Sequence, residues 1–408
     1  MTTGNVVIEQ SPAAVGTGFL RGRDMLCFSH DWNGDPLSKT HLMRLIARDN
    51  RVLWVNSIGY RTPTPSRADM RRAFSKLAAA ASPLREVEPN IFALNPLAIP
   101  AYGNAGVRAF NRGFLRWQVK RAMRRLRFKQ TINWVFNPAA SIIAGELGEE
   151  MVIYYCVDEY TAFTGVDSNA LAGLERRLMR RSDLVIVSSE QLYQSKAPFN
   201  LRTALVRHGV DYAHFRRALD AETVPPKEIM RLPRPVIGFF GLIADWVDVE
   251  LMASVAERFS TGSLVALGKI TTDVSALERL PNVHLLGRKP YSELPAYCKG
   301  FDVALMPFRV NELTLAANPL KAREYLAAGL QVVSTAIPEV EAIGGCRIGR
   351  DRESFLFEVE QSLLDPGPSV ERSEAMRDES WEARLDEIYE YMAALAEERG
   401  TASRAATP

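Results

Sequence analysis

The sequence predicts an α/β protein built from two doubly wound domains that face a common cleft, and three observations carry that prediction. The chain has 408 residues, enough for two domains of about 100 to 200 residues each. Hydrophobic residues make up 47% and charged residues 24%, the usage of a folded globular chain that can bury a sizeable core. Short apolar runs alternate with longer amphipathic stretches, the pattern left by buried parallel strands and their crossover helices.

Residues 1–22, rich in Gly, Ala, Thr and Ser without a clear period, are expected to form a flexible N-terminal tail. A first domain is placed at 23–217, with strands at 24–29, 51–55, 132–136, 151–155 and 183–189 and helices at 36–48, 105–128 and 168–181. A linker is placed at 218–234, where Pro225, Pro226 and Pro233 break any period. The alternation restarts in a second domain at 235–370, with strands at 236–241, 264–268, 283–287, 302–308 and 331–336 and helices at 247–259, 291–299 and 319–328. Open α/β sheets take their ligands at the carboxyl ends of the strands, so a ligand is expected between the domains. At 371–398 a last helix carries Trp381, Leu385, Ile388, Tyr389, Met392 and Leu395 on one face. It either caps the second domain or crosses back to brace both, and periodicity does not choose. A flexible tail is expected at 399–408.

Net charge is only +2, from 50 basic and 48 acidic residues. Residues 1–150 nevertheless carry 21 Lys and Arg against 11 Asp and Glu, and the remainder 29 against 37. The first half therefore presents the basic surface, which fits either an anionic partner or a solvated face. Cys27, Cys156, Cys298 and Cys346 lie far apart with no CxxC pair, so neither a zinc site nor a disulfide framework is expected and a reducing cytoplasm fits best. No apolar run approaches the roughly 18 residues that span a bilayer, and the polar opening lacks a signal-peptide pattern, so any membrane contact is expected to be peripheral. GTGFLRG at 16–22 precedes a strand instead of following one, and GSLVALGKI has the wrong spacing for a P-loop. Neither GxSxG nor HExxH occurs, which removes two common hydrolase signatures.

The most informative stretch is 311–335, NELTLAANPLKAREYLAAGLQVVST. Asn318 reads as an N-cap, Pro319 as the first helical residue and Gly329 as the helix end. Such a helix start, continuing through Leu320, turns free N–H groups and a positive dipole end toward a phosphate, and Lys321 adds a full charge. Glu324 falls on the same face and can accept hydrogen bonds from vicinal hydroxyls such as those of a ribose. The competing reading is an i, i+3 surface ion pair between Lys321 and Glu324.

These residues, with FDVALMPF at 301–308, GRKPYSELPAY at 287–297, HGVD at 208–211 and GFFGLIADWVDVELM at 238–252, resemble bacterial glycosyltransferases of GT-B fold, in particular the retaining, nucleotide-sugar-dependent enzymes of family 4 (group 1). The resemblance runs over roughly 24–395 and implies two Rossmann-like domains, an acceptor side in the first and a nucleotide diphosphate-sugar donor site in the second. By position, Glu324 matches the second glutamate of the family's paired motif and implies a bond to the donor ribose, with Lys321 facing the pyrophosphate. The first glutamate of that motif is replaced by Ala316, and Glu312 is out of register. Where many relatives place Arg and Lys after the first strand of this domain, Asp245, Trp246 and Asp248 stand instead. Gly241, Arg288, Arg309 and the helix start at Asn318 are left to hold the diphosphate. In the first domain the resemblance puts Asp31 and Trp32 on the acceptor side, and Asp158 near the transferred sugar as a contact or base, although N-capping competes for Asp158 and Glu159. His208 reads as structural, and His30 and His41 as ambiguous.

No DxD carboxylate cluster occurs, and the implied hexosyl transfer needs no metal and no cofactor, since preorganised donors at the helix start stabilise the leaving diphosphate. Retention, as in the relatives, would let that phosphate take the acceptor's proton. From Arg108 to Lys129 the chain has nine basic and no acidic residues, with Arg112, Arg116, Lys120 and Arg124 on an i, i+4 stripe. The stripe suits a helix lying on anionic lipid, where a lipid-linked acceptor would sit, or a solvated domain face; nucleic acid is not expected. The reading is a cytoplasmic, peripherally membrane-associated glycosyltransferase acting on a glycan or lipid-linked acceptor in cell-surface polysaccharide synthesis. Its alternatives are a nucleotide-sugar epimerase or hydrolase on the same fold, and a non-catalytic nucleotide-sugar-binding scaffold subunit.

Overall fold

The computed structural model describes residues 20–34, 36–58, 84–99, 104–163 and 165–405. The tail placed at 1–22 lies outside them up to residue 19, and of the tail placed at 399–408 only 406–408 do, because the last helix runs on to Ala405.

The first sheet holds eight strands: β1 (Asp24–Phe28), β2 (Arg51–Val55), β3 (Leu84–Glu88), β4 (Ile91–Leu94), β5 (Thr131–Val135), β6 (Met151–Cys156), β7 (Leu184–Val187) and β8 (Thr203–Leu205). Their order is β3-β4-β2-β1-β5-β6-β7-β8, parallel throughout except for the antiparallel β3–β4 pair at one edge. The second sheet is wholly parallel, with β9 (Val236–Phe240), β10 (Ser263–Leu267), β11 (Val283–Gly287), β12 (Val303–Met306), β13 (Gln331–Thr335) and β14 (Cys346–Gly349) in the order β11-β10-β9-β12-β13-β14. Strand order reverses between β1 and β5 and between β9 and β12. These two switch points, at the carboxyl ends of buried strands, are where such sheets leave a crevice.

β1, β5, β6, β9, β10 and β12 are buried along their whole length, which is why they read as continuous apolar runs. β3, β4, β8 and β14 were absent from the expected elements. β3 and β14 are half-exposed edge strands that mix charged and apolar residues, and β8 is a three-residue strand. None leaves a long apolar run.

Two apolar cores correspond to the two sheets. The second takes in Val210, Phe215, Ala218 and Ile229, so the chain crosses between domains near 206–210, ahead of the Pro-rich stretch placed as the linker at 218–234. Within that stretch a helical turn, Lys227–Met230, buries Ile229. The last helix, Trp381–Ala405, answers the question periodicity left open. Trp381, Leu385, Ile388, Met392 and Leu395 enter the core of the first domain, so the helix crosses back to it. The two crossings run side by side: Val210 N–H donates to Glu379 O at 2.8 Å, and Trp381 N–H to Val210 O at 3.3 Å. Gly209 makes that approach possible, because a Cβ there would lie 2.7 Å from Trp381 N and 2.8 Å from Ser380 O.

Candidate functional site

A cleft of about 460 Å³ opens between the carboxyl edges of the sheets, lined on the second-domain side by Gly241, Gly268, Lys269, Arg288, Lys321 and Glu324. Its floor is built for close approach. Gly241 follows β9 at φ +134° and Gly268 follows β10 at φ +152°, both in the region only glycine adopts readily. A Cβ on Gly268 would overlap the Gly241 carbonyl, and one on Gly241 would overlap Lys321 Cε, so the lysine lies directly across the glycine.

The helix Leu320–Ala327 starts at this floor, and no side chain caps it, so its first N–H groups keep their positive field. Lys321 Nζ sits 5.9 Å over the Phe308 ring. Among the described residues neither Lys321 nor Glu324 makes a hydrogen bond or ion pair, which removes the surface-pair reading. Burial pushes the Glu324 carboxyl up to about 7, against the pull of Lys321 and with a further push from Asp211. Burial lowers Lys321, and Glu324 opposes it. A partly buried cation and carboxyl in a cleft wall, with no hydrogen bond or ion pair among the described residues, mark a binding site more than a stabilising contact.

The opposite wall comes from the loop after β1, with Gly34, Pro36 and Leu37 lining the cleft. Behind them Lys39, in the first turn of the helix Ser38–Ile46, is coupled electrostatically to Asp158 at the end of β6. Burial raises Asp158 to about 6, with Lys39 pulling it down, and burial lowers Lys39. Among the described residues neither side chain has a hydrogen-bonded partner. His208 donates Nδ1–H to Asn318 O at 2.8 Å, and its buried Nε2 has no partner among the described residues. Burial holds its ring near 3, so it stays neutral across the working range.

Several expected site residues sit elsewhere or do something else. Asn318 is no N-cap: Pro319 takes that position, and the Asn318 amide donates to Ser188 O at 2.6 Å and Glu339 Oε2 at 2.9 Å while accepting from Arg323 at 2.6 Å. It ties the two domains together, with both amide N–H groups and the carbonyl oxygen engaged inside the protein. Of the expected helix start, Leu320 lines the cleft and Pro319 does not. The Arg309 side chain is exposed and away from the cleft lining, with its N–H donated to Trp246 O at 2.8 Å. Arg288 does line the cleft. Trp32 is a core residue, edge-on to Trp54 at 4.8 Å, and Asp31 accepts from Ser57 N–H at 3.1 Å; each holds its loop in place, and neither lines the cleft. Capping applies to Glu159, which caps the turn Tyr160–Ala162 and binds Lys196 Nζ at 2.7 Å, but not to Asp158. Asp248 caps the helix Val249–Arg258. Ala316 is buried against the first domain, its carbonyl accepting from Ser189 Oγ at 2.6 Å, so no side chain reaches out from that position.

Sequence reasoning missed Lys39 and Lys269. Lys269 follows Gly268 directly at the end of β10, and its signal is the Gly-Lys pair that closes an apolar run. Lys39 carried the same signal as Lys321, a lysine in the first turn of a helix that follows a buried strand. Tyr291 was also missed. It lines the cleft, stacks on His214 at 4.4 Å, and has a buried hydroxyl without a partner among the described residues.

Comparisons with known proteins bear on the second domain and on the fold. Residues 234–365 match the model of the family described as Glycosyl transferases group 1. A Bacillus subtilis (strain 168) protein with the provisional name teichuronic acid biosynthesis glycosyltransferase TuaH is 29% identical over 224 residues, 50% of this chain and 55% of that protein. The chain thus spans about half the length of that relative. Among solved structures, α,α-trehalose 6-phosphate synthase from Burkholderia multivorans superposes with a TM-score of 0.65 at 12% identity, covering 95% of this chain and 99% of that one. Sucrose-phosphate synthase from Thermosynechococcus elongatus gives 0.62 at 14% identity, with 94% and 98% covered. The catalytic domain of Arabidopsis thaliana starch synthase IV, bound to ADP and acarbose, gives 0.64 at 11%, with 92% and 100% covered. At such identities these structures speak for the two-domain fold.

Proposed function

We propose, for a chain whose second domain matches the model of the group 1 glycosyl transferases and whose fold is that of GT-B enzymes, that it transfers a hexosyl group from a nucleotide diphosphate-sugar to a glycan or lipid-linked acceptor in cell-surface polysaccharide synthesis. One observation carries the reading: Lys321 and Glu324, partly buried in the cleft wall and without a hydrogen bond or ion pair among the described residues, flank a helix start that no side chain caps, over a two-glycine floor. The diphosphate lies on the floor, neutralised by Lys321, Lys269, Arg288 and the N–H groups of the helix start, without a metal. Glu324 accepts from the ribose hydroxyls. The sugar then points at the first domain, toward Asp158, Lys39 and His208.

Transfer proceeds with retention. The acceptor oxygen bonds to the anomeric carbon as the bond from that carbon to the phosphate oxygen breaks, and the acceptor proton passes to that phosphate oxygen on the same face. Departure of the diphosphate is assisted by charges already in place, so little reorganisation is needed. The protein works at the cytoplasmic face of the membrane as a peripheral protein; no described helix is long and apolar enough to cross a membrane.

The scaffold reading draws on Ala316, which supplies no polar contact where the family motif has its first glutamate. Product analysis of purified protein with nucleotide-sugars, with and without a membrane-lipid acceptor fraction, tests both. Acceptor-dependent release of nucleoside diphosphate with a new glycosidic bond is expected. Acceptor-independent hydrolysis or epimerisation supports the other enzyme reading, and no turnover at all supports the scaffold.

A further inference from the structure

A helix packed on a sheet needs one apolar face. The helix Ala105–Leu126 has two. Leu115, Val119, Ala122 and Met123 are buried in the first domain's core. On the opposite side, Phe110, Phe114 and Trp117 recur at i, i+4 and i+7 and stack on one another, with ring centroids 5.6 and 5.9 Å apart. Phe110 is 56% and Trp117 50% exposed. Arg121, the next residue on this face, lies 5.5 Å over the Trp117 ring. Arg116, Lys120, Arg124 and Arg125 flank it, and the helix contains no acidic residue.

The stripe singled out in the sequence is only part of this surface. Arg112 turns away to Glu146 at 2.8 Å, a carboxylate that Arg181 also holds, and Arg124 Nε donates to Lys120 O. The aromatic row lies between the remaining cations. Rings at the centre and long cationic side chains at the margins match the boundary between acyl chains and anionic headgroups. Like charge along the helix disfavours a second copy of the same face.

Position adds to the argument. The helix leads into the amino end of β5, so it begins near that sheet's carboxyl edge, the edge that faces the cleft. The aromatic row begins on the sixth of its 22 residues and ends on the thirteenth, about 10 Å from Phe110 to Trp117 at the rise of an α-helix.

We propose that Phe110, Phe114 and Trp117, flanked by Arg116, Lys120 and Arg121, form a docking face that seats the protein on an anionic lipid bilayer with the cleft edge toward the membrane. This deepens the peripheral reading above and rests on it.

The test is flotation of the full-length protein with vesicles of phosphatidylcholine alone or mixed with phosphatidylglycerol, at low and high salt. Comparison proteins are Phe110→Ser/Trp117→Ser and, separately, Arg116→Glu/Arg121→Glu. All four positions are exposed, so both variants are expected to fold. Binding should require phosphatidylglycerol, weaken with salt, and fall by about ten-fold or more in each double variant. Binding that is equal on neutral vesicles, that survives both pairs of substitutions, or that never occurs overturns the proposal. So does self-association that the same substitutions abolish. Nucleoside diphosphate calorimetry on the same samples separates the two readings: lost vesicle binding with intact nucleotide binding leaves the donor site standing, and the reverse removes the donor site alone.

Discussion

Glu324 makes no hydrogen bond or ion pair among the described residues, and its titration is set by burial. Its carboxyl is raised to about 7 by burial, so between about 4.5 and 7 the free folded protein holds a proton that the unfolded chain has lost. By linkage, its contribution to stability falls as pH rises through that window. On the proposed function ribose hydroxyls donate to the ionised form and binding expels the proton, so donor affinity should rise with pH up to about 7 and then level. Glu324→Gln should flatten that rise and unfold at a higher temperature than wild type at pH 8, while binding donor less well. Calorimetry and thermal melts across pH read both effects. Asp158 and Lys39 are expected to act on the transferred sugar more than on the nucleotide. Asp158→Asn and Lys39→Met should lower kcat by about ten-fold or more and leave nucleoside diphosphate affinity within about two-fold. A parallel loss of nucleotide affinity would move both residues to the diphosphate.

Among the elements, the crossing at Gly209 is the most constrained. Gly209→Val should cost about 1–3 kcal/mol in denaturant unfolding, because its side chain meets the backbone of Ser380 and Trp381 with no flexible group to yield. Donor-site residues lie elsewhere, so nucleotide affinity of the folded fraction should hold. The sequence showed HGVD as a turn but could not show that a second segment, some 170 residues later, would lie against it. The buried strands were legible because burial on both faces leaves an apolar run, and β3 and β14 were not because edge exposure erases it. The helix Leu320–Ala327 was legible from Asn318-Pro319 and Gly329, yet the role given to Asn318 failed. Its side chain is taken by Ser188, Glu339 and Arg323, of which only Arg323 is near in sequence. Local pattern reports what a residue can do, and tertiary partners decide which of those things it does.

For the whole molecule, two sheets present their switch points to one cleft, and the pieces that hold them there are polar and buried. Glu339 accepts from Glu190 N–H, Arg207 and Asn318, so one carboxylate of the second domain fastens two segments of the first. The last helix adds an apolar clasp. The division into two domains and the motif-bearing second half were readable from the sequence, whereas on the first-domain side Asp158 was readable and its partner Lys39 was not. Lys39 and Asp158 are over a hundred residues apart, and only folding brings them into one field. The central claim is that Lys321 and the helix start form a diphosphate site. Calorimetric titration of UDP, GDP, ADP and NAD into wild-type protein and Lys321→Ala, without added metal, tests it most directly. Saturable binding of one nucleoside diphosphate, weakened about ten-fold or more in the variant, is the predicted result. Equal affinity in both proteins, binding of NAD alone, or no binding by any of the four would contradict it.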